Sequence, residues 1–272
     1  MSTDLGTAAN GTRYKVHGSG RPVVVLIHGL GLDQGMWRWQ IDALGQCYTV
    51  LTYDLIGMGQ SSPPIETPSL TMFARQLAEL LDELNIKHAA VAGFSLGGMI
   101  ARRFAMDFPS KLWAVAILNS AHKRDAAAHD AIQNRVYQSQ KDGPEATVNA
   151  ALSRWFTSPF HDANPMIMQW VRTTILANNK EYYPSNYQVL VSGVNELIAP
   201  EPPINCPALV MTAEEDYGNS PEMSQAITAE ISGSTLVVLP RLRHMAMVEA
   251  PELFNKHLLA FLYRVYAEQT HG

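Results

Sequence analysis

Residues 89–105 read AAVAGFSLGGMIARRFA, and the reading of this stretch decides the fold. An apolar run reaches Gly93, Ser95 stands between glycines, and helix-forming sequence follows Gly97-Gly98. Gly93-Phe94-Ser95-Leu96-Gly97 fits G-x-S-x-G, a sharp turn that joins a buried strand to a helix and thrusts a serine hydroxyl out of the fold. Glycines two before and two after the serine remove side chains that would collide where strand and helix cross. The serine also lies at a helix N-terminus, where free N–H groups favour developing negative charge. A serine N-cap between glycines accounts for the five residues alone. The strand before and the helix after are what the strained turn needs in addition.

Outward from this turn, buried-strand and helix patterns alternate. PVVVLIHG (22–29), YTVLTYD (48–54), AAVAGF (89–94) and LWAVAILNS (112–120) are continuous apolar runs, as strands buried on both faces should be. Between the second and third, Leu70, Phe73, Leu77, Leu80 and Leu84 recur every three or four residues, an amphipathic helix with Pro68 expected in its first turn. The rhythm stops near Ala121. Residues 122–203 carry helix-like stretches and aromatics but no clear strand, and end in the proline-rich APEPPINCP. It resumes with ALVMTAE (208–214), TLVVLP (235–240) and a closing helix over 251–269. The expectation is an α/β core from 1–121 and 204–272, with a mostly parallel sheet covered by helices on both faces, and a helical cap insert at 122–203.

Composition excludes several classes. With 47% hydrophobic and 17% charged residues and a net charge of −5, the chain has the make-up of a globular protein without a basic face for nucleic acid or anionic lipid. No apolar run approaches the roughly 20 residues of a membrane helix. The N-terminus lacks the apolar core of a secretory signal, so the expected location is cytoplasmic and the Asn10-Gly11-Thr12 sequon is a chance match. Cys47 and Cys206 are in no C-x-x-C or metal-like spacing and read as reduced core thiols. GLGLDQG does not fit G-x-G-x-x-G, and there is no Walker A sequence, so neither nucleotide nor metal is expected; no cofactor is needed.

A serine nucleophile needs a base, and the base an orienting acid. In this topology the chain order is Ser, acid, His. His244 follows the last strand, in VVLPRLRHMAMVEAPELF, where a base would hang over the C-terminal edge of the sheet. The acid should leave the preceding strand. Glu214, Glu215 and Asp216 are available, and Asp216, one step into the loop, is preferred, with Glu215 in reserve. The alternative site for an acid, after the strand that follows the turn, reads Asn119-Ser120 and offers no carboxylate. Oxyanion donors are expected from the backbone N–H groups of Leu96, after the nucleophile, and Leu30, in HGLGLD. If the substrate carries a carboxylate, Arg38, Arg154 and Arg243 are the candidate cations by position; Trp155 and Phe156 are candidate pocket walls.

HGLGLD, YDLIGMGQS, GFSLGG, the 213–216 turn and RHMAMVEAPELF occur in the order typical of the α/β-hydrolase superfamily, and the resemblance spans nearly the whole chain. MWRWQIDAL, YTVLTYDLIGMGQSS and LSRWFTSPF further resemble 3-oxoadipate enol-lactonases of aromatic catabolism. That resemblance implies cofactor-free hydrolysis of a small carboxylated lactone. Such enzymes usually read D-x-R-G-H-G after the second strand, where this chain has DLIGMG; Ile56 and Met58 are therefore expected to make the mouth of the site less polar. The expected function is a serine hydrolase of an ester or lactone, through Ser95, His244 and Asp216. The alternatives are a carbon–carbon bond hydrolase of ring-cleavage products, a general carboxylesterase and, from another class, a slow-turnover ligand receptor. The sequence leaves homo-oligomerisation open.

Overall fold

The computed structural model describes residues 3–271. Met1, Ser2 and Gly272, at the ends of the expected core, lie outside the described residues. In chain order come β1 (Thr3–Thr7), β2 (Arg13–His17), β3 (Val23–Ile27), α1 (Arg38–Leu44), β4 (Thr49–Tyr53), α2 (Leu70–Glu83), β5 (Ala89–Phe94), α3 (Leu96–Asp107) and β6 (Leu112–Leu118). Then follow α4 (Ala126–Asp142), α5 (Val148–Trp155), α6 (Ser158–Ala163), α7 (Pro165–Leu176) and α8 (Tyr183–Ser192). The chain closes with β7 (Ala208–Ala213), α9 (Pro221–Glu230), β8 (Thr235–Leu239), α10 (Ala246–Glu249) and α11 (Pro251–His271).

The strands form one eight-stranded sheet in the order β1-β2-β4-β3-β5-β6-β7-β8. β1 and β2 are antiparallel to their neighbours, and the pairs from β4 to β8 are parallel. β3 shows why its apolar run is continuous. Val25 and Ile27 pack with α2 and α3 on one face, while Val24 and Leu26 pack with Leu44 of α1 and with α11 on the other. Each such residue, fully buried, is worth about 1.5–3 kcal/mol in transfer free energy. In α2, Leu70, Phe73, Leu77 and Leu80 are all fully buried, as their spacing requires.

Four expectations are corrected. β1 and β2 were not anticipated, because TDLGT and RYKVH are mostly polar and mostly exposed or half-buried; they add an antiparallel hairpin at the sheet edge. Pro68 lies just ahead of α2 rather than in its first turn. Ser69 is the N-cap, its hydroxyl accepting from Met72 N at 3.1 Å. α9 was also missed, although Ser220-Pro221 is an N-cap followed by a first-turn proline. Cys47 is exposed rather than a core thiol. Between β6 and β7 the described residues are helical and turn-rich, with no strand. Both ends of this segment are fixed to the core. Buried Arg102 of α3 donates to Ala121 O and Leu197 O, and Glu230 of α9 accepts from Arg102 Nη2 (3.1 Å) and Ala199 N (2.9 Å).

Candidate active site

Ser95 links β5 to α3 with φ 56° and ψ −113°, a left-handed conformation that costs of order 1–3 kcal/mol in a non-glycine residue. The glycines explain how the strain is accommodated. A Cβ on Gly93 would lie 2.0 Å from Gly97 O, and one on Gly97 would lie 2.4 Å from Ile27 O. Only hydrogen fits at either position, so β5, β3 and α3 meet at backbone contact. The turn is also tied to β6: Ser95 N donates to Leu118 O (2.9 Å), and Ser120 Oγ donates to Ser95 O (2.8 Å).

Ser95, Asp216 and His244 line one cavity of about 90 Å³ at the C-terminal edge of the sheet. His244 Nδ1–H donates to Asp216 Oδ2 at 2.7 Å, which directs Nε2 away from the acid. Among the described residues neither Ser95 Oγ nor His244 Nε2 makes a hydrogen bond. The His244 ring is packed between Phe94, with centroids 4.7 Å apart, and Trp155, at 5.8 Å. Asp216 is almost fully buried and accepts three further hydrogen bonds: from Asn119 Nδ2 (3.0 Å), Asn219 N (3.1 Å) and Gly218 N (3.3 Å). The position that lacks a carboxylate thus supplies an amide donor to the acid from the next strand. Asn119 is itself held, since Asn219 Nδ2 donates to its carbonyl at 2.8 Å. An asparagine at 119 gives no local signal of this contact.

The N–H groups of Leu30 and Leu96 have no hydrogen-bond partner among the described residues. Leu96 is the first residue of α3, where no intrahelical acceptor exists. Leu30 follows the buried His28, whose ring fixes the loop. Leu55 N donates to His28 Nε2 (2.9 Å), so the proton sits on Nδ1 and is donated to Gly29 O (2.8 Å). Burial holds the His28 imidazole below its ordinary pKa of 6.5, against the opposing pull of Asp54, so the ring is neutral.

The substrate-contact candidates divide. Leu30, Arg154 and Trp155 line the cavity. Arg38 does not; it is exposed, with its guanidinium 3.9 Å over the Trp170 ring. Arg243 fastens the end of α5 to the His244 loop, donating to Phe156 O (2.9 Å) and Ser153 O (3.1 Å) and pairing with Glu215. Met58 is buried in the core beside α2, and Ile56 faces a separate groove with Met72 and Gln76, so neither makes the mouth apolar. Phe156 is buried and stacked on Phe160 of α6. The reserve acid, Glu215, points to Arg243 instead of His244. Among the cavity residues that went unforeseen are two arginines, Arg124 and Arg135, on a polar stretch without any local signal of inward direction. No helix among the described residues is long and apolar enough to cross a membrane.

Comparison with known proteins gives a consistent result. The model of the Alpha/beta hydrolase family matches residues 24–257. The chain is 29% identical over 251 residues to (E)-2-((N-methylformamido)methylene)succinate hydrolase of Acinetobacter baylyi, covering 92% of this chain and 93% of that one. It is 29% identical over 245 residues to 3-oxoadipate enol-lactonase 2 of the same organism, covering 90% of each. Among solved structures, the enol-lactonase from Burkholderia xenovorans LB400 superposes with a TM-score of 0.87 at 28% identity, over 96% of this chain and all of that one.

Proposed function

The chain belongs to the alpha/beta hydrolase family, and from that premise we propose that it is a serine hydrolase of an ester or lactone bond in a small carboxylated substrate. The observation that carries this reading is the Asp216–His244 hydrogen bond at 2.7 Å on the cavity that Ser95 enters from its strained turn. His244 Nε2 takes the proton from Ser95 Oγ as the oxygen attacks the carbonyl carbon. Asp216 holds the imidazole in the tautomer that leaves Nε2 free to accept, and offsets the charge of the imidazolium. The N–H groups of Leu30 and Leu96 receive the negative charge that develops on the carbonyl oxygen. Collapse breaks the carbon–oxygen bond, and His244 returns the proton to the leaving oxygen. Water then attacks the acyl-enzyme with His244 as base, and Ser95 is regenerated. In a lactone the leaving oxygen stays attached to the acyl group.

Arg154, on the cavity, supports a carboxylated substrate. The named activity of the 3-oxoadipate enol-lactonase relative supports a lactone over a simple ester. Residues 122–203 act in this reading as a cap that excludes water above the serine. The test is turnover of a panel of lactones, p-nitrophenyl esters and ring-cleavage diketones by the wild type and by Ser95→Ala. Turnover of lactones and esters, lost by roughly 10^4-fold or more in the variant, is expected. A variant as active as the wild type overturns the mechanism; turnover of the diketones alone moves the assignment to carbon–carbon hydrolysis.

A further inference from the structure

Three arginines face the cavity that holds Ser95 and His244: Arg124 just before α4, Arg135 within α4, and Arg154 in the last turn of α5. None of the three is in an ion pair among the described residues. The charge of Asp216 acts on Arg154, but Asp216 already accepts four hydrogen bonds. Arg124 gives one N–H to Leu190 O (2.7 Å), and Arg135 Nε is buried with no partner. Three cations have thus been brought into one partly dry cavity whose single lining carboxylate, Asp216, is already engaged by four donors. Such an assembly is unfavourable until an anion enters it.

The three arginines are carried by separate parts of the helical segment. At 1.5 Å per residue, Arg135 stands about 14 Å along α4 from its first residue, Ala126, two places beyond Arg124. Burial pushes the Arg124 guanidinium down to about 10, with the Arg135 charge as the next cause. Burial, followed by the same Arg135 charge, lowers Arg154 as well.

We propose that the cavity takes a substrate with two carboxylates besides the bond that is cut, both held by the set of Arg124, Arg135 and Arg154. Arginine forks accept carboxylates bidentately, and Tyr183 and Tyr187, held protonated by burial, line the same wall as neutral donors. The proposal rests on the serine-hydrolase reading only for the identity of the bond that is cut.

Binding is measured by isothermal titration calorimetry on the Ser95→Ala protein at pH 7.5, with succinate, butyrate and inorganic phosphate as probes. Succinate is expected to bind about tenfold or more tighter than butyrate, and tighter than phosphate. Arg124→Gln or Arg154→Gln, each added to Ser95→Ala, should bring succinate to within a few-fold of butyrate. Butyrate equal to succinate, or phosphate the tightest of the three, overturns the proposal. Calorimetry needs no turnover, so its outcome stands whether or not the hydrolase reading does. With the wild type, kcat/KM should rise about tenfold at each step from dimethyl glutarate, to monomethyl glutarate, to the 1-methyl ester of propane-1,2,3-tricarboxylate. Turnover with no gain at the second carboxylate counts against the proposal. Complete inertness towards all three, with succinate still preferred in calorimetry, counts against the hydrolase reading alone.

Discussion

Asp216→Asn changes one atom and should remove most of the activity. Asp216 Oδ2 receives His244 Nδ1–H at 2.7 Å and Asn119 Nδ2–H at 3.0 Å, and Oδ1 receives the N–H groups of Asn219 at 3.1 Å and Gly218 at 3.3 Å. All four partners are donors, so the new amide NH2 must face two of them. Turned towards the backbone, it meets two N–H groups that cannot reorient. Turned towards His244, it meets a ring that can shift its proton from Nδ1 to Nε2 and accept instead. The second arrangement is lower in energy, and it leaves His244 with the tautomer that cannot take a proton from Ser95. A loss of about 10^4-fold in kcat is expected, equivalent to about 5.4 kcal/mol of transition-state stabilisation. The assay is kcat and KM with p-nitrophenyl acetate, with circular dichroism to verify that the variant is folded. Glu215→Gln serves as the control. Its carboxylate pairs with Arg243 at 3.5 Å near the surface and should matter by no more than about twofold. Retention of about a tenth or more of wild-type kcat in folded Asp216→Asn, or an equal loss in Glu215→Gln, refutes the reasoning.

Gly97→Ala puts a Cβ 2.4 Å from Ile27 O, so α3 and β3 must part by about 0.6 Å to reach the 3.0 Å floor for such contacts. A displacement of that order at the nucleophile should lower kcat by roughly 10^2-fold; steady-state kinetics within about twofold of wild type would contradict it. Glu230→Ala leaves the Arg102 guanidinium buried without its carboxylate and frees Ala199 N at one end of the helical segment. About 3 kcal/mol should be lost, a Tm lower by about 6–12 °C in calorimetry; an unchanged Tm would contradict the clamp. His28 is neutral in the fold with its pKa below 6.5, so unfolding takes up a proton once the pH is under 6.5. Stability is therefore full above 6.5 and declines as the pH falls from there towards the folded pKa. A Tm that rises between pH 7 and pH 5 would contradict this.

The central strands and the serine turn were legible because their constraints are local. A strand buried on both faces must be apolar throughout, and two backbone contacts permit only glycine around Ser95. The order of acid and base followed from the topology. The hairpin of β1 and β2 was hidden because an edge pair need not be apolar. The direction of a side chain was the harder problem. Arg38, Arg243 and Met58 sit at suitable positions by number, but stack on Trp170, staple α5 and fill the core, respectively. Arg124 and Arg135 belong to a mostly exposed helical stretch, and only the approach of α5 and α8 gives them a cavity to face. Asn119 donates to Asp216, 97 positions away, a relation no local pattern contains.

The most direct measurement asks which atom becomes acylated. Wild-type protein, treated with a p-nitrophenyl alkylphosphonate and digested for peptide mass spectrometry, should carry one adduct, on Ser95, with activity lost in proportion to labelling. An adduct on any other residue, or full labelling with activity retained, would contradict a hydroxyl nucleophile at the turn between β5 and α3.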